Sequence, residues 1–228
     1  MPSHVIVEKL VGETPLQALE KYRLGAHIDA AVPMTYAGRL DPMASGKLLL
    51  LIGEECKKKD VYTKLDKEYE FEILLGIETD TGDVLGIPSY CGLGDVNVRE
   101  VLESFVGEHT FPYPVYSSKH VEGKALFQHS HDGTIADIQI PETTTRVHSI
   151  EYLSKLEVNS GDLLVQVSEK IGLLSVIGDS ESLGSDFRKP IILEAWRGLS
   201  IAQKQFTILK CRAHVGAGTY IRTLAPAI

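Results

Sequence analysis

The chain has 228 residues, of which 43% are hydrophobic and 24% charged, so it is long enough to bury a core as one large domain or two small ones. No apolar run approaches the roughly 18–20 residues of a membrane-spanning helix, and the N-terminus lacks the basic and apolar regions of a secretory signal. Three scattered cysteines without metal-ligand spacing predict reduced thiols in a cytoplasmic protein.

The formal net charge of −8 argues against a nucleic-acid partner, because phosphate binding usually leaves a basic surface. The acidic excess lies within residues 70–210, which hold 11 Lys and Arg against 21 Asp and Glu. Residues 1–69 are balanced at 10 of each, and residues 211–228 hold 2 basic and 0 acidic residues. An RNA-binding face built from the two ends of the chain therefore remains compatible with the composition.

Apolar-polar alternation predicts strands over residues 4–10, 67–76 and 206–215. A helix is predicted to begin at Thr14-Pro15, because threonine caps helices and proline suits the first helical position. A second helix is predicted at residues 96–106. The Asn159-Ser160-Gly161 sequence between two apolar runs predicts a β-hairpin turn.

The segment 36–46 contains one acid, Asp41, followed by Pro42 and bracketed by Gly38 and Gly46. The glycines permit backbone angles that other residues resist, and the proline fixes φ, so this loop is able to hold the Asp41 carboxylate in one direction. Considered alone, such an aspartate is usually a turn or capping residue. The alternative interpretation is a catalytic carboxylate.

Two further segments stand out. The first begins with Lys67-Glu68-Tyr69 and continues into Thr79-Asp80-Thr81-Gly82-Asp83, where Thr and Asp favour side-chain-to-backbone turns, so residues 79–83 are interpreted as architectural. The second, Gly218-Thr219-Tyr220-Ile221-Arg222, follows the last predicted strand. An arginine at a helix start is most often a surface residue. The alternative is an arginine that meets a buried carboxylate, because its planar fork forms two bonds and stays charged.

Together these segments resemble the TruB family of bacterial tRNA pseudouridine synthases. The family motifs read Gly-x-Leu-Asp-Pro-x-Ala-x-Gly, then Lys-x-Tyr with Leu-Gly-x-x-Thr-Asp-Thr-x-Asp-x-x-Gly, then Gly-Thr-Tyr-Ile-Arg-x-Leu-Ala, and every fixed position is met in the same order. The resemblance extends over most of residues 5–225. It implies an α/β fold of the α+β type, with a mixed, largely antiparallel central sheet flanked by helices.

The resemblance also assigns roles to individual residues. Asp41 is the catalytic carboxylate, Tyr69 stacks on the flipped base, and Arg222 pairs with Asp41 to keep it ionised and oriented. The implied substrate-binding residues are Tyr36, Tyr220, Lys9 and Lys67. Pseudouridine formation needs neither a metal nor another cofactor, and no metal-ligand cluster is evident in the sequence.

The chain departs from the family pattern at several places. Tyr36 stands where a histidine is usual, so nucleotide flipping is expected to be altered rather than abolished. In the segment after Tyr116, His120 replaces a lysine. Residues 168–205 form an insertion, for which an extra hairpin or surface loop is expected. Residues 1–228 are expected to form a single catalytic domain, without the small RNA-binding barrel of the PUA type that usually follows.

The implied activity is isomerisation of uridine to pseudouridine in RNA, first of all uridine 55 in the T-loop of tRNA. The implied partner is the T-stem-loop of tRNA, bound by a cytoplasmic monomer without a membrane. Two alternatives stay open: a guide-RNA-dependent synthase acting on ribosomal RNA, and an RNA-binding or RNA-folding protein of the same fold with weak catalysis. A carboxylate-dependent hydrolase needs a second catalytic acid, and Asp80 and Asp83 are better interpreted as turn residues.

Overall fold

The computed structural model describes residues 2–92, 97–174, 188–202 and 204–228. These residues divide into two compact units, one formed by residues 2–65 and 169–174 and the other by the remainder. Each unit contains helices, and every strand pair among the described residues is antiparallel, which confirms the predicted α+β class. None of the described helices is both long enough and apolar enough to cross a membrane.

The first unit is built on a three-stranded sheet. Its elements are β1 (His4–Lys9), α1 (Pro15–Gly25), β2 (Met34–Ala37), β3 (Gly46–Ile52), a 3-10 helix (Gly53–Lys58) and α2 (Lys59–Thr63). The strand order is β1-β3-β2, and Leu19, Leu48 and Leu50 are buried in its core. The predicted helix start is confirmed, because Thr14 and Gln17 exchange side-chain-to-backbone hydrogen bonds as a capping box.

The second unit contains a four-stranded sheet and two short ribbons. Its elements are β4 (Lys67–Leu74), β5 (Ile77–Thr79), β6 (Pro88–Tyr90), α3 (Val98–Ser104), β7 (Gly107–Pro112), β8 (His120–Val121), β9 (Lys124–Ala125), α4 (Leu126–His131), a 3-10 helix (Ile135–Asp137), β10 (Glu142–Asn159), α5 (Ser160–Gly172, of which residues 169–172 belong to the first unit), α6 (Lys189–Ala202), β11 (Gln205–Val215) and α7 (Ile221–Ala227). The main sheet has the order β4-β11-β10-β7. Val147, Cys211 and Leu224 are buried in the core beside it.

The predicted hairpin at Asn159-Ser160-Gly161 is wrong, because these residues begin helix α5 instead of turning the chain back. The Asn159 side-chain oxygen accepts a hydrogen bond from the N–H of Asp162 at 2.9 Å, which satisfies a donor of the first helical turn. Leu163 and Val167 are buried four residues apart, the spacing of one helical face.

The expectation of a hairpin or surface loop within residues 168–205 is also wrong for the described part. That part contains the end of α5 and helix α6, on which Ile192, Trp196 and Leu199 are buried at helical spacing. Residues 178–186, included in the same expectation, lie outside the described residues.

Candidate active site

Asp41 lies in the loop that joins β2 to β3 in the first unit, and it is half-buried. Gly38 and Gly46 stand at the two ends of this loop with φ angles of +85° and +135°, which glycine adopts without strain. Within the loop, the N–H of Ala44 donates to the carbonyl of Asp41 at 3.0 Å. The backbone on both sides of the carboxylate is therefore fixed by local geometry.

A buried lysine, Lys9, donates hydrogen bonds to the backbone of this loop. Lys9, at the end of β1, is 0% exposed, and its ammonium donates to the carbonyl oxygens of Leu10 at 2.9 Å, Ala44 at 2.5 Å and Pro42 at 3.5 Å. These three acceptors match the three N–H donors of a lysine. Burial lowers the pKa of Lys9, while nearby carboxylates, including that of Asp41, act in the opposite direction. Two of the three contacts of Lys9 are with the loop, and its role in substrate binding stays a prediction.

Gly12 supplies a second anchor for the same loop. Its N–H donates to the carbonyl of Pro42 at 2.8 Å. Gly12 has a φ of +86°, and a Cβ built on it would lie 2.2 Å from the carbonyl oxygen of Leu173. Both the backbone angle and the close approach require glycine, and the N–H of this residue helps to fix the position of the Asp41 loop.

Tyr36 lies on β2 opposite Leu50 of β3, next to the Asp41 loop in the sequence. The side chain is partly buried and packs against the apolar core of the first unit. The ammonium of Lys59 lies 5.4 Å from the centre of its ring, within the range of a cation–π contact. Tyr36 thus combines an aromatic ring with an adjacent positive charge. Its role in binding substrate stays a prediction.

Lys67 and Tyr69 lie on β4 in the second unit, two residues apart and hence on the same face of the strand. In register, Lys67 pairs with Val215 and Tyr69 with Ala213 of β11. Tyr69 is partly buried and packs against the core of this unit. Burial lowers the pKa of Lys67, and the carboxylate of Asp66 opposes that effect.

Arg222, near the start of α7, has a guanidinium that reaches two backbone carbonyls of distant segments. One terminal nitrogen donates to the carbonyl of Thr81 at 3.0 Å and the other to that of Tyr116 at 3.1 Å. Nε lies 3.7 Å from the Asp83 carboxylate, and the Arg222 and Asp83 side chains are only 10% and 17% exposed. Asp83 is therefore a carboxylate partner of Arg222 that the sequence did not predict.

The turn that holds Asp83 confirms the architectural interpretation of residues 79–83. The hydroxyl of Thr81 donates to the Asp83 carboxylate at 2.9 Å, and the N–H of Leu85 donates to the same oxygen at 2.9 Å. The hydroxyl of Thr79 donates to the carbonyl of Asp83 at 2.8 Å. Side chains of this turn therefore bond to its own backbone, as the density of Thr and Asp predicted.

Tyr220 directly precedes α7 and lies against a second tyrosine. The rings of Tyr113 and Tyr220 have centroids 5.8 Å apart and meet edge to face at 72°. The ammonium of Lys119 lies 4.8 Å from the centre of the Tyr113 ring. Aromatic rings beside positive charge are typical of surfaces that stack nucleic-acid bases. Tyr113 stands between two prolines, a pattern that favours extended backbone but does not indicate contact with Tyr220.

The predicted site residues therefore fall into two local groups. The first unit holds Lys9, Tyr36 and Asp41, and the second holds Lys67, Tyr69, Tyr220 and Arg222. Lys9 contacts the loop of Asp41, and Arg222 contacts Thr81, Asp83 and Tyr116. The pairing of Asp41 with Arg222 stays a prediction.

Comparison with known proteins defines the class. Residues 30–172, more than half of the chain, match the model of the TruB family pseudouridylate synthase (N terminal domain). The chain belongs to this family. The matched region includes the Asp41 loop, strand β4 with Tyr69 and the turn at residues 79–83.

Individual relatives carry one name. The tRNA pseudouridine synthase B of Caldicellulosiruptor saccharolyticus is 30% identical over 178 residues, which are 73% of this chain and 60% of the relative. The protein of the same name from Aromatoleum aromaticum is 32% identical over 65% of this chain and 48% of its own length. A Marinomonas protein of this name is 32% identical over 74% of this chain and 57% of its own length. The matches thus span between about half and three-fifths of these relatives.

Among solved structures, a Cbf5-Nop10-Gar1 complex is similar at a TM-score of 0.48 and 16% identity, over 97% of this chain and 42% of the matched chain.

Proposed function

We propose that this protein isomerises uridine to pseudouridine in RNA and that its target is uridine 55 in the T-loop of tRNA. Membership of the TruB family and the shared name of its relatives support the proposal. The observation that carries it is the construction of the Asp41 loop, which Lys9 and Gly12 fix at the carbonyls of Pro42 and Ala44. A catalytic carboxylate must be held in one geometry, and a loop anchored at two points provides this.

In the proposed reaction, the Asp41 carboxylate acts on the uridine, at its base or its ribose, while the glycosidic N1–C1′ bond breaks. The base then turns and C5 bonds to C1′, after which the proton on C5 is lost and N1 gains one. Arg222 pairs with Asp41 and keeps it ionised, because a nearby positive charge favours the charged form of a carboxylate. Tyr69 stacks on the base, and Tyr220 lines the uracil pocket.

The target uridine lies within a folded RNA loop and must leave its stack before it reaches Asp41. Tyr36 is next to the Asp41 loop in the sequence and has the ammonium of Lys59 beside its ring. Its ring helps to displace the base from the stack. Lys9 and Lys67 contribute positive charge to the substrate site. Residues 1–228 act as one catalytic domain on the T-stem-loop, in a cytoplasmic monomer, and no cofactor takes part in the reaction.

The test is incubation of the purified protein with an unmodified tRNA transcript, followed by nucleotide-resolved mapping of pseudouridine. We expect one pseudouridine, at position 55, in the whole tRNA and in an isolated T-stem-loop. A transcript with cytidine at position 55 is the matched control and should give none. Product at other positions only would contradict the assigned target.

The same assay separates the two alternatives. An RNA-binding protein with weak catalysis would bind the transcript in a filter assay and yield little or no pseudouridine. A guide-dependent synthase would modify a ribosomal RNA fragment only after a matching guide RNA and its protein partners are added.

A further inference from the structure

Three metal-ligating side chains meet on the solvent face of the four-stranded sheet in the second unit. Nε2 of His148 lies 3.1 Å from a carboxylate oxygen of Asp66. The rings of His148 and His214 have centroids 4.7 Å apart. One ligand atom from each of the three residues lies within 4.8 Å of the other two, and all three residues are exposed. The sequence did not predict this cluster, because its members are far apart along the chain.

Strand register places these side chains together. His214 of β11 is opposite Ser149 of β10 on one side and Glu68 of β4 on the other. The pairing of β10 with β11 is irregular at His148, which lies between the pairs Val147–Val215 and Ser149–His214. A bulge of this kind re-aims one side chain, and it brings His148 beside His214.

Asp66 completes the cluster from the third strand. It directly precedes β4 and is two residues before Glu68, which is the partner of His214 in register. Residues two apart on an extended chain share a face, so Asp66 points to the same side as Glu68 and His214. Two of the three residues therefore lie on paired strands, and the third directly precedes a strand of the same sheet.

We propose that Asp66, His148 and His214 form a binding site for a divalent zinc-class cation. Two imidazoles and one carboxylate are a ligand set typical of Zn²⁺, and three protein ligands leave a fourth position for water. In tetrahedral zinc sites with bonds of about 2.0–2.1 Å, ligand atoms stand about 3.3 Å apart. The His148–Asp66 separation of 3.1 Å fits this geometry, and a ring nitrogen of His214 lies within 4.8 Å of both of these ligand atoms.

Both acidic and basic residues surround the cluster, and the Lys67 ammonium interacts with the carboxylate of Asp66. Glu68 pairs in register with His214 and adds a carboxylate to the same face. The nearby basic residues Lys210 and Arg212 are both engaged by Glu70, at 3.2 Å and 2.6 Å. The competing interpretation is a simple hydrogen-bonded pair of His148 and Asp66, which has no need of His214.

The test is titration of the chelator-treated full chain with Zn²⁺ in a calorimeter, together with absorption spectra after addition of Co²⁺. We expect saturable binding of one Zn²⁺ per chain and the strong visible bands of tetrahedral Co²⁺. His148→Gln and His214→Gln should each weaken Zn²⁺ binding at least about tenfold, and Asp66→Asn should weaken it as well.

The matched control is His131→Gln. His131 is an exposed histidine 3.5 Å from Asp132, and among the described residues this pair has no third ligand beside it. Its replacement should leave Zn²⁺ affinity unchanged. Binding that only rises linearly with Zn²⁺, or that survives in the double variant H148Q/H214Q, would overturn the proposal.

A second measurement covers the case in which a variant fails to fold. Imidazole resonances of the wild-type chain, labelled at its 8 histidines, are recorded as Zn²⁺ is added. We expect the resonances of His148 and His214 to shift at one equivalent and those of the other histidines to stay in place. A shift of neither, or an equal shift of all, would contradict the site. Neither readout depends on pseudouridine formation.

Discussion

The carbonyl oxygen of Arg222 occupies the space that a side chain on Gly82 would fill. A Cβ built on Gly82 would lie 2.2 Å from that oxygen, and Gly82 has a φ of +74°. The two residues belong to different motifs, the turn at residues 79–83 and the start of α7. Since the Arg222 guanidinium also donates to the carbonyl of Thr81, the direction of that side chain depends on the close packing that Gly82 allows.

We expect Gly82→Ala to lower the free energy of unfolding by about 1–3 kcal/mol, because alanine is strained at positive φ and its Cβ displaces the Arg222 backbone. Denaturant unfolding measures this change, and pseudouridine formation should fall further than the fraction unfolded accounts for. Gly198→Ala is the control, since α6 leaves nothing within 4 Å of an added Cβ there. It should be neutral or stabilising by up to about 1 kcal/mol. Equal effects of the two substitutions would refute this account of Gly82.

Lys9→Met removes the ammonium under the Asp41 loop while nearly preserving its volume. Charged hydrogen bonds contribute about 1.5–3 kcal/mol, so we expect a loss of about that size in the free energy of unfolding. Pseudouridine formation should drop with it, because the carbonyl of Ala44 loses the ammonium as a donor and that of Pro42 keeps only the N–H of Gly12. The control is Lys21→Met. The Lys21 side chain is 68% exposed, and its ammonium lies 3.2 Å from the Glu13 carboxylate. Its effect should remain within about 1 kcal/mol, and a similar loss in both variants would count against the loop-holding role.

We expect the first unit to lose stability in acid because of Glu13. Its pKa is lowered from the ordinary 4.5, chiefly by the hydrogen bond from the N–H of Leu10, which is 2.9 Å long. A carboxylate with a lowered folded-state pKa contributes stability above its unfolded pKa and loses it as the pH falls through the folded value. Urea unfolding of the wild type should therefore show falling stability below pH 4.5.

Glu13→Gln tests that contribution directly. The variant should be less stable than the wild type at neutral pH, and the difference between them should shrink as the pH falls below 4.5. Glu54→Gln, which removes a carboxylate that is 88% exposed, serves as the control for a surface charge. A constant difference between wild type and Glu13→Gln across this pH range would contradict the assignment.

Arg188 connects the start of α6 to the turn at residues 79–83. It donates to both carboxylate oxygens of Asp80, at 2.7 Å and 3.3 Å, and its guanidinium lies 4.6 Å from the centre of the Tyr116 ring. Both partners are about a third exposed, which reduces the strength of the pair. A double-mutant cycle of Asp80→Asn and Arg188→Gln should give a coupling energy of about 0.5–1 kcal/mol. A coupling of zero would mean that the contact does not stabilise the fold.

Local chemistry explains which elements the sequence predicted. The cap at Thr14, the first-turn Pro15 and the alternation along β11 each act within a few residues, so the sequence alone identifies them. The hairpin error at Asn159 has a local cause too. Asn-Ser-Gly suits both a turn and a helix cap, and the recurrence of Leu163 and Val167 four residues apart was the signal for a helix.

Contacts between residues far apart in the chain could not be predicted from the sequence. Asp83 was interpreted only as a turn residue, and nothing in its neighbourhood indicates that Arg222 lies beside it. The same holds for His148, which reaches His214 only because of a bulge in strand register. The burial of Lys9 was equally unexpected, since an isolated lysine in a sequence usually indicates an exposed residue.

The measurement closest to the central claim is pseudouridine formation at position 55 of an unmodified tRNA transcript by Asp41→Asn under single-turnover conditions. Asparagine keeps the shape of the side chain and removes its charge. Asp60→Asn, an exposed aspartate at the start of α2, is the matched control. We expect Asp60→Asn to match the wild type and Asp41→Asn to bind the tRNA but form product more than about a thousandfold more slowly. Product from Asp41→Asn at a rate near that of the wild type would contradict a catalytic role for this carboxylate.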